Sequence, residues 1–365
     1  MHDERGAHAD GAVEIDGEHF TLDEDINQIL REGVPAVLEA CRHQRQVIKH
    51  DTAFLVTDGD GAVYNHCNCG TGLYFRDTRF LNGWELRLEG AQPTLLSFSA
   101  ERNFLSRTEF MNGPMTLRDG TVVPQESLYV AATRVIGAYV HERIEVVNYN
   151  AFPVTLRVTL LMSADFSDMF EVRGAFRGDR GRFFRPKLRE RDAVLGYQGA
   201  DKLLRRTRIT FSESPRSMRP ASLSRGTGVS LEFELKVAGG GGRTSLETTI
   251  EPLLEGVEEP PATRPLTEVT HGLQTEQVRR QQGLTRLTSD NEIYNLVLDR
   301  SVLDLETLTS VQPETGLYVS AGIPWFACPF GRDALIAAYQ SLVLGPDLAK
   351  AMTWDRDHSE RTPPC

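Results

Sequence analysis

The sequence predicts a mainly β protein in which a β-sandwich N-terminal domain is followed by the first helices of an incomplete helical domain. Three observations support this prediction. Apolar and polar residues alternate from residue 52 onward, a stretch rich in Glu and Pro interrupts the pattern at 255–265, and helical spacing begins after it. Alternation places one face of a strand in the core and the other in water, which is typical of antiparallel sheets.

The strand pattern is clearest in residues 154–160 and 231–237, where every second side chain is apolar. Residues 129–136 and 139–147 flank a Gly-Ala pair and predict a β-hairpin. Residues 53–56 run into an Asp-Gly-Asp-Gly turn signal, which predicts another hairpin. Many such strands between about 50 and 250 are typical of a β-sandwich.

These patterns divide the chain into five segments. They are a disordered polar lead (1–20), the β-sandwich domain (21–255), a linker (256–280), the start of a helical domain (281–351) and an aberrant tail without sustained periodicity (352–365). The pair Pro260-Pro261 marks the boundary between the two domains, because proline cannot donate a hydrogen bond to a strand ladder.

Two helices are predicted in the helical segment. Ser289 and Glu292 have the spacing of a capping box, which predicts a helix start there. The apolar residues that follow occupy two helix faces, which predicts a helix packed on two sides. The second helix is predicted over 333–344, where Gly345 and Pro346 end it. Because two helices cannot bury their apolar faces alone, this domain is predicted to be incomplete.

Composition limits the expected partners. The net charge of −11 argues against the broad basic surface that binds nucleic acid. No apolar run approaches the roughly 18 residues that span a membrane, so we expect no membrane partner and a cytoplasmic location. The five cysteines are scattered and odd in number, which is not typical of a disulfide framework. No cofactor is predicted.

Residues 320–333 are predicted to form a loop punctuated by Gly and Pro, which leads into the second helix. They hold the densest set of chemically informative side chains: three aromatic rings and an Arg-Asp pair. Sugars present apolar C–H faces and a rim of hydroxyls, so their sites use aromatic side chains with a few fixed polar groups. From the residue types alone two interpretations stay open, and the first is a sugar-binding site formed by Trp325, Phe326, Arg332 and Asp333. The structural alternative is that Asp333 caps the helix, Arg332 pairs with a carboxylate and the rings fill the core.

Several other polar clusters have simpler interpretations. His66-Cys67-Asn68-Cys69 supplies at most three soft ligands with no second cluster, so no metal is predicted and a turn before a strand is favoured. Charges in a core must be paired, so three residues are predicted to form a buried ion-pair network at the domain interface: Arg76, Asp77 and Arg79. The basic run at 202–208 is predicted to lie on a solvated strand face.

A further polar group leaves two interpretations open. Its members either line a loop at the mouth of the helical domain or fix a crossover by hydrogen bonds; they are Asp165, Asp168, Glu171 and Arg173.

Five blocks resemble, in the same order, the sequences of bacterial glycogen-debranching-type glucosidases (amylo-α-1,6-glucosidases). They are 72–81 (GLYFRDTRFL), 139–149, 164–174, 205–209 and 321–333 (AGIPWF followed by FGRD). The first block resembles the hallmark of the N-terminal β-domain of that family. The last resembles the start of its (α/α)₆ toroid, a six-hairpin glycosidase domain. The resemblance covers roughly residues 50–350.

The resemblance implies hydrolysis of α-glucosidic linkages by a general acid and a general base, which lie roughly 6.5 to 9.5 Å apart in an inverting enzyme. In the family these carboxylates lie on later helices of the toroid, so no catalytic residue is expected in this chain and little or no hydrolysis by it. The resemblance implies that Asp333 binds sugar hydroxyls beside the cleaved bond. Arg332 would orient Asp333, while Trp325 and Phe326 would form the pocket wall. The implied partner is an α-glucan or oligosaccharide.

After Met352 the chain departs from the family pattern, which resembles a truncated or frame-shifted sequence; the alternative is a short regulatory protein. For function, the alternative to a glycoside hydrolase is a non-catalytic carbohydrate-binding or regulatory module. A third possibility is a structural domain without a ligand, in which Asp333→Ala and Trp325→Ala change stability only.

Overall fold

The computed structural model describes residues 12–15, 18–32, 45–65, 70–175, 180–222, 226–259, 261, 263–312 and 316–346. The described part of the predicted disordered lead is ordered: two short strands pair, and Phe20 is buried against Phe184 with the ring centroids 4.9 Å apart. This packing is long-range, and the polar local composition gives no signal for it. The predicted tail at 352–365 lies outside the described residues.

The described residues form 23 strands and five helices. The strands up to the first long hairpin are β1 (Ala12–Ile15), β2 (Glu18–Thr21), β3 (Gln46–His50), β4 (Ala53–Thr57), β5 (Gly72–Phe75), β6 (Thr78–Leu81), β7 (Gly83–Leu88), β8 (Thr94–Arg102), β9 (Leu105–Met111), β10 (Met115–Thr116), β11 (Val122–Val123) and β12 (Leu128–Ile136). The later strands are β13 (Val140–Asn148), β14 (Val154–Ala164), β15 (Arg182–Arg189), β16 (Asp192–Gln198), β17 (Leu204–Phe211), β18 (Ser217–Ser222), β19 (Thr227–Val237), β20 (Gly242–Leu254), β21 (Thr309–Gln312), β22 (Gly316–Gly322) and β23 (Phe326–Pro329). The helices are α1 (Glu24–Glu32), α2 (Met169–Val172), α3 (Leu266–Gln282), α4 (Glu292–Leu308) and α5 (Gly331–Ser341).

Two antiparallel sheets form a β-sandwich. The larger sheet has eight strands in the order β15-β16-β17-β20-β13-β12-β9-β8, and the smaller has four in the order β18-β19-β14-β7. Residues from both sheets, such as Ile144 and Ile250 from the larger and Leu160 and Leu231 from the smaller, are fully buried in one apolar core. The predicted mainly β fold class with a β-sandwich is therefore confirmed. A further four-stranded sheet, β3-β4-β5-β6, contributes Leu55 to the same core; we call these three sheets together the β-domain.

The alternating segments behave as predicted. β14 and β19 pair antiparallel, with Leu156 opposite Leu235 and Leu160 opposite Leu231, and β12 and β13 form the predicted hairpin. The Asp-Gly-Asp-Gly segment makes a turn, but the hairpin predicted there is wrong. β4 pairs with β3 and β5, while Val63 beyond the turn bridges to Trp84. All five residues of β4 are buried. The strand therefore shows no alternation of apolar and polar residues from which its pairing partners could be predicted.

The C-terminal part, residues 266–346, contains α3, which packs directly on the β-domain, and a three-stranded sheet that contacts α4 and α5. This sheet, β21-β22-β23, includes residues 320–329, which were predicted as a loop. On the helical side Val319 packs with Ala338 and the partly buried Leu305. On the other side polar groups join the sheet to β3: the buried Lys49 ammonium donates to the Thr309 carbonyl (3.0 Å) and the Ser310 hydroxyl (2.7 Å).

Two helix predictions require correction. The segment predicted as a linker, 256–280, contains most of α3, whose Leu266 is buried on the β-domain core. The N-cap of α4 is Asn291, not Ser289: the Asn291 side chain accepts from the Tyr294 N–H (3.1 Å). The Ser289 hydroxyl instead accepts from the Asn291 N–H (3.1 Å), outside the helix, so the predicted capping box does not form.

The helices present apolar side chains to solvent. α4 was predicted to pack on two sides, but none of its residues is buried and Ile293 is 75% exposed. On α5, Tyr339 is 77% exposed. A groove of about 930 Å³ lies between these helices and the segment after α3. Among the described residues, no helix combines the length and apolar character needed to cross a membrane.

Candidate functional site

Trp325 lies where the C-terminal sheet meets the β-domain. It is partly buried and packs with an apolar cluster that includes Phe54, Tyr74 and Met169. Gly70 makes room for it: a Cβ at Gly70 would lie 2.6 Å from the Cη2 atom of the indole, and Gly70 also has a φ of +72°. Trp325 therefore packs the C-terminal part against the β-domain. This packing role is the one that the structural alternative predicted for the rings, and it stands alongside the predicted binding role.

Phe326, the next residue, faces solvent. Its ring is 42% exposed and meets the ring of Phe330 edge-on, with the centroids 5.8 Å apart. The guanidinium carbon of Arg173 lies 5.4 Å from the centroid of the Phe326 ring, within the range of a cation–π contact. Phe326 and Phe330 thus form an exposed aromatic surface and do not fill a core.

Arg332 and Asp333 lie in the first turn of α5, and both side chains are exposed. The N-cap position belongs to Phe330, and no side chain caps the helix, so Asp333 is not the cap that the structural alternative expected. The aligned backbone dipoles of the helix favour a negative charge at Asp333. Among the described residues neither side chain has a hydrogen bond or ion pair, which leaves both available to a ligand.

The polar residues at 165–173 divide into two groups. Asp165 is buried and accepts two hydrogen bonds from Arg79, at 3.0 Å from Nε and 2.5 Å from Nη2. Asp168 and Glu171 form a reciprocal capping box around α2. These three fix the backbone, as one of the two open interpretations proposed. Arg173 alone of the four points its charged group at the exposed aromatic surface.

The predicted ion-pair network is smaller than expected. Arg79 belongs to it, but Arg76 and Asp77 occupy the two-residue turn between β5 and β6 with φ angles of 44° and 61°. Burial raises the pKa of the Asp165 carboxyl, but the charge of Arg79 and hydrogen bonds from Arg79 and Ser167 outweigh burial and lower that pKa overall. Desolvation raises the pKa of Asp77, and the nearby Asp168 charge raises it further.

The sequence prediction missed one exposed ring, Phe170, and one contact, between Arg173 and Phe326. Phe170 is 51% exposed on α2. The spacing of Asp168 and Glu171 is that of a capping box, and it could have predicted the helical turn that carries Phe170. Within the described part of the chain, no group of three or more His, Cys, Asp or Glu residues could hold a metal ion. The segment 66–69 lies outside the described residues.

A family model described as the N-terminal domain of some glycogen debranching enzymes matches residues 48–247, more than half of the chain. The chain belongs to this family. Four of the five blocks that resemble glycogen-debranching-type glucosidases lie within the matched residues. The fifth, 321–333, lies beyond them, so the four predicted substrate-binding residues are outside the family match.

One solved structure has a similar fold. A protein assigned as a kojibiose phosphorylase, from the human microbiome, has a TM-score of 0.53 at 8% identity; the match covers 84% of this chain and 45% of that chain. The chain described here therefore matches less than half the length of that solved structure. A protein assigned as an aldose 1-epimerase, from Escherichia coli K12, has a TM-score of 0.39 at 7% identity, covering 57% of this chain and 99% of that one. No curated protein matches the chain.

Proposed function

We propose that the chain is the N-terminal portion of a glycogen-debranching-type glycoside hydrolase and binds α-glucans at Trp325, Phe326, Arg332 and Asp333. The observation that carries the proposal is the exposed Phe326 ring on a strand that leads directly to an exposed aspartate in the first turn of α5. An aromatic ring receives the C–H face of a sugar, and a fixed carboxylate accepts hydrogen bonds from its hydroxyls. Membership of the debranching family makes a carbohydrate the expected ligand.

Catalysis requires more than this site. An inverting glycosidase uses two carboxylates on opposite sides of the scissile bond, and the four proposed residues include one, Asp333. We therefore assign Asp333 to substrate binding, with amylo-α-1,6-glucosidase-type hydrolysis as the activity of the complete catalytic arrangement. The chain itself is expected to show little or no hydrolysis.

Isothermal titration of the chain with maltoheptaose and with isomaltose tests the binding site. Asp333→Asn is expected to weaken binding roughly tenfold or more, because a hydrogen bond to a charged group contributes about 1.5–3 kcal/mol. Phe326→Ala is expected to weaken it about two- to tenfold. Matched controls are Asp299→Asn, an exposed carboxylate on α4, and Tyr149→Ala, an exposed ring after β13. Equal affinity of Asp333→Asn and the wild type would refute the assignment.

A second candidate is a non-catalytic carbohydrate-binding module, and the single carboxylate among the proposed residues favours it. Glucose release from maltoheptaose and from a branched limit dextrin tests whether the chain is non-catalytic. Binding with no detectable release agrees with both candidates for this chain, and glucose release by the wild type would exclude the non-catalytic module and contradict the expected lack of hydrolysis. If the wild type binds no glucan of either kind, both candidates are wrong and the structural alternative stands.

A further inference from the structure

We propose that the β-domain adds two ligand contacts to an accessory glucan subsite: Phe170 on α2 and Arg173 at its C-cap, which act together with Phe326 and Phe330 of the C-terminal part. This accessory subsite, defined by these four side chains, rests on the proposed function and extends it, because it assigns ligand contacts to residues outside the 325–333 segment. The four side chains come from two distant parts of the sequence. In the folded chain Arg173 lies over the Phe326 ring, which meets Phe330, and helical spacing puts Phe170 on the same side of α2 as Arg173.

α2 is held rigidly although it is only four residues long. The Asp168 carboxylate accepts from the Phe170 N–H (2.8 Å) and the Glu171 N–H (2.9 Å), and the Glu171 carboxylate accepts from the Asp168 N–H (3.0 Å). Arg180 pairs with Glu171 at 2.9 Å, and Met169 and Val172 are buried. These contacts fix the α2 backbone, so Phe170 and Arg173 are presented to a ligand with little ordering cost.

Phe170 and Arg173 lie on the outer face of α2. They are three residues apart, which places them on the same side of a helical turn, and the alternate positions Met169 and Val172 point into the β-domain. Phe170 is 51% exposed and Arg173 is exposed. The nearby Arg79 and Arg180 are held by carboxylates, whereas the Arg173 guanidinium stands 5.4 Å from the Phe326 ring centroid. Arg173 therefore retains N–H donors for a ligand.

This combination fits a neutral sugar chain. A guanidinium presents a planar fork of N–H donors that can bond two neighbouring hydroxyls, and three exposed aromatic rings beside it can receive C–H faces. An inorganic anion would need the charge but not the rings. The rings favour a glucan, and inorganic phosphate becomes the competing ligand that the experiment must exclude.

The accessory subsite should serve long ligands. Phe326 begins β23 and Asp333 lies seven residues later, in the first turn of α5. The Arg173 guanidinium lies over the Phe326 ring, so Arg173 and Phe170 extend the proposed site beyond Phe326. A ligand of two glucose units is expected to occupy Phe326 and Asp333 without Arg173 and Phe170, whereas a longer one is expected to contact all four.

The experiment measures the affinity of the full chain for maltose and for maltoheptaose by isothermal titration, with inorganic phosphate as a third titrant. Arg173→Ala and Phe170→Ala are each expected to weaken maltoheptaose binding about two- to tenfold, which corresponds to the 0.5–1.5 kcal/mol of an aromatic or cation–π contact. Maltose binding is expected to stay within twofold of the wild type. Arg173→Lys is expected to weaken maltoheptaose binding nearly as much as Arg173→Ala does, because lysine lacks the planar fork of N–H donors.

Arg219→Ala, an exposed arginine on β18, and Tyr149→Ala are the matched controls and should bind both sugars like the wild type. Unchanged maltoheptaose affinity in Arg173→Ala and Phe170→Ala, with Asp333→Asn weakened, would overturn the accessory subsite and leave the proposed function standing. Equal losses for both sugars together with a lower melting temperature would overturn it as a packing effect. Phosphate binding that depends on Arg173, without a change for maltoheptaose, would overturn it in favour of an anion site. No glucan binding by the wild type would refute the proposed function itself.

Discussion

Arg79 and Asp165 form an ion pair inside the β-domain, and both side chains are almost completely buried. The pair is also tied to the backbone: Arg79 donates to the Thr71 carbonyl (3.2 Å) and the Ser167 hydroxyl donates to Asp165 (2.9 Å). Removing one partner leaves a buried charge without compensation, which costs far more than the pair as a whole contributes. This pair anchors the segment that carries α2.

Asp165→Asn is expected to lower the free energy of unfolding at pH 7 by about 3–5 kcal/mol, measured by urea denaturation. The double variant Arg79→Met/Asp165→Leu should lose less than the sum of the two single variants. Because the folded-state pKa of Asp165 is lowered, the stabilisation is present above the unfolded pKa of about 3.9 and is lost as the pH falls through the folded value. A loss below about 1 kcal/mol in Asp165→Asn would contradict this account.

Asp77 occupies a turn position that costs stability. Arg76 and Asp77 both have positive φ angles, as the central residues of a type I′ hairpin turn do, and glycine is preferred there. Asp77→Gly is expected to raise the free energy of unfolding by about 1 kcal/mol at pH 7. The raised pKa of Asp77 means that its charged form is disfavoured in the folded state, so the gain should shrink as the pH falls and the carboxyl is protonated. Thermal melting at pH 7 and pH 4 measures both effects.

Among the helices, α4 provides a test of its N-cap. Asn291→Ala is expected to lower the free energy of unfolding by about 1 kcal/mol, because it removes the acceptor for the Tyr294 N–H in the first turn of the helix. Ser289→Ala should cost less, since the Ser289 hydroxyl bonds to residues before the helix begins. Thermal melting of the two variants ranks them directly. A larger loss of stability in Ser289→Ala than in Asn291→Ala would support the capping box that the sequence predicted at Ser289.

Elements with strong local periodicity were predictable and those without it were not. β14, β19 and the β12–β13 hairpin contain the predicted alternating segments, because one face of each is buried and the other is wet. β22 was missed: Tyr318 faces the β-domain while Val319 faces the helices, so both faces are buried and no alternation appears. The helix α3 was missed because its apolar positions are few and its neighbourhood is rich in proline.

Across the whole molecule, Lys49 connects the β-domain to the C-terminal part. Burial lowers the pKa of Lys49 to about 8, although the Asp51 charge opposes the shift. Between about pH 8 and the ordinary value of 10.5 the unfolded chain binds a proton that the folded chain does not, so this group makes stability rise with pH over that window. Below pH 8 the folded state carries the full cost of a buried ammonium.

The stability difference between wild type and Lys49→Met should therefore increase in favour of the wild type by about 1 kcal/mol from pH 8 to pH 9. Urea denaturation at both pH values measures it, and subtraction of the variant removes the contribution of every other titrating group. Lys236→Met, on β19, serves as the control for charge removal at an exposed site. A difference that is constant between pH 8 and pH 9 would contradict the lowered pKa of Lys49.

The sequence by itself determined the fold class and the membership of the debranching family, because alternation and ordered motif blocks are properties of neighbouring residues. It also led to the proposal that the 325–333 segment binds a sugar. Only the tertiary structure decided which strands share a sheet, that Trp325 packs over Gly70, and that Arg173 meets Phe326 while Asp165 does not. Those outcomes depend on contacts between residues more than 80 positions apart, whose energies no local pattern encodes.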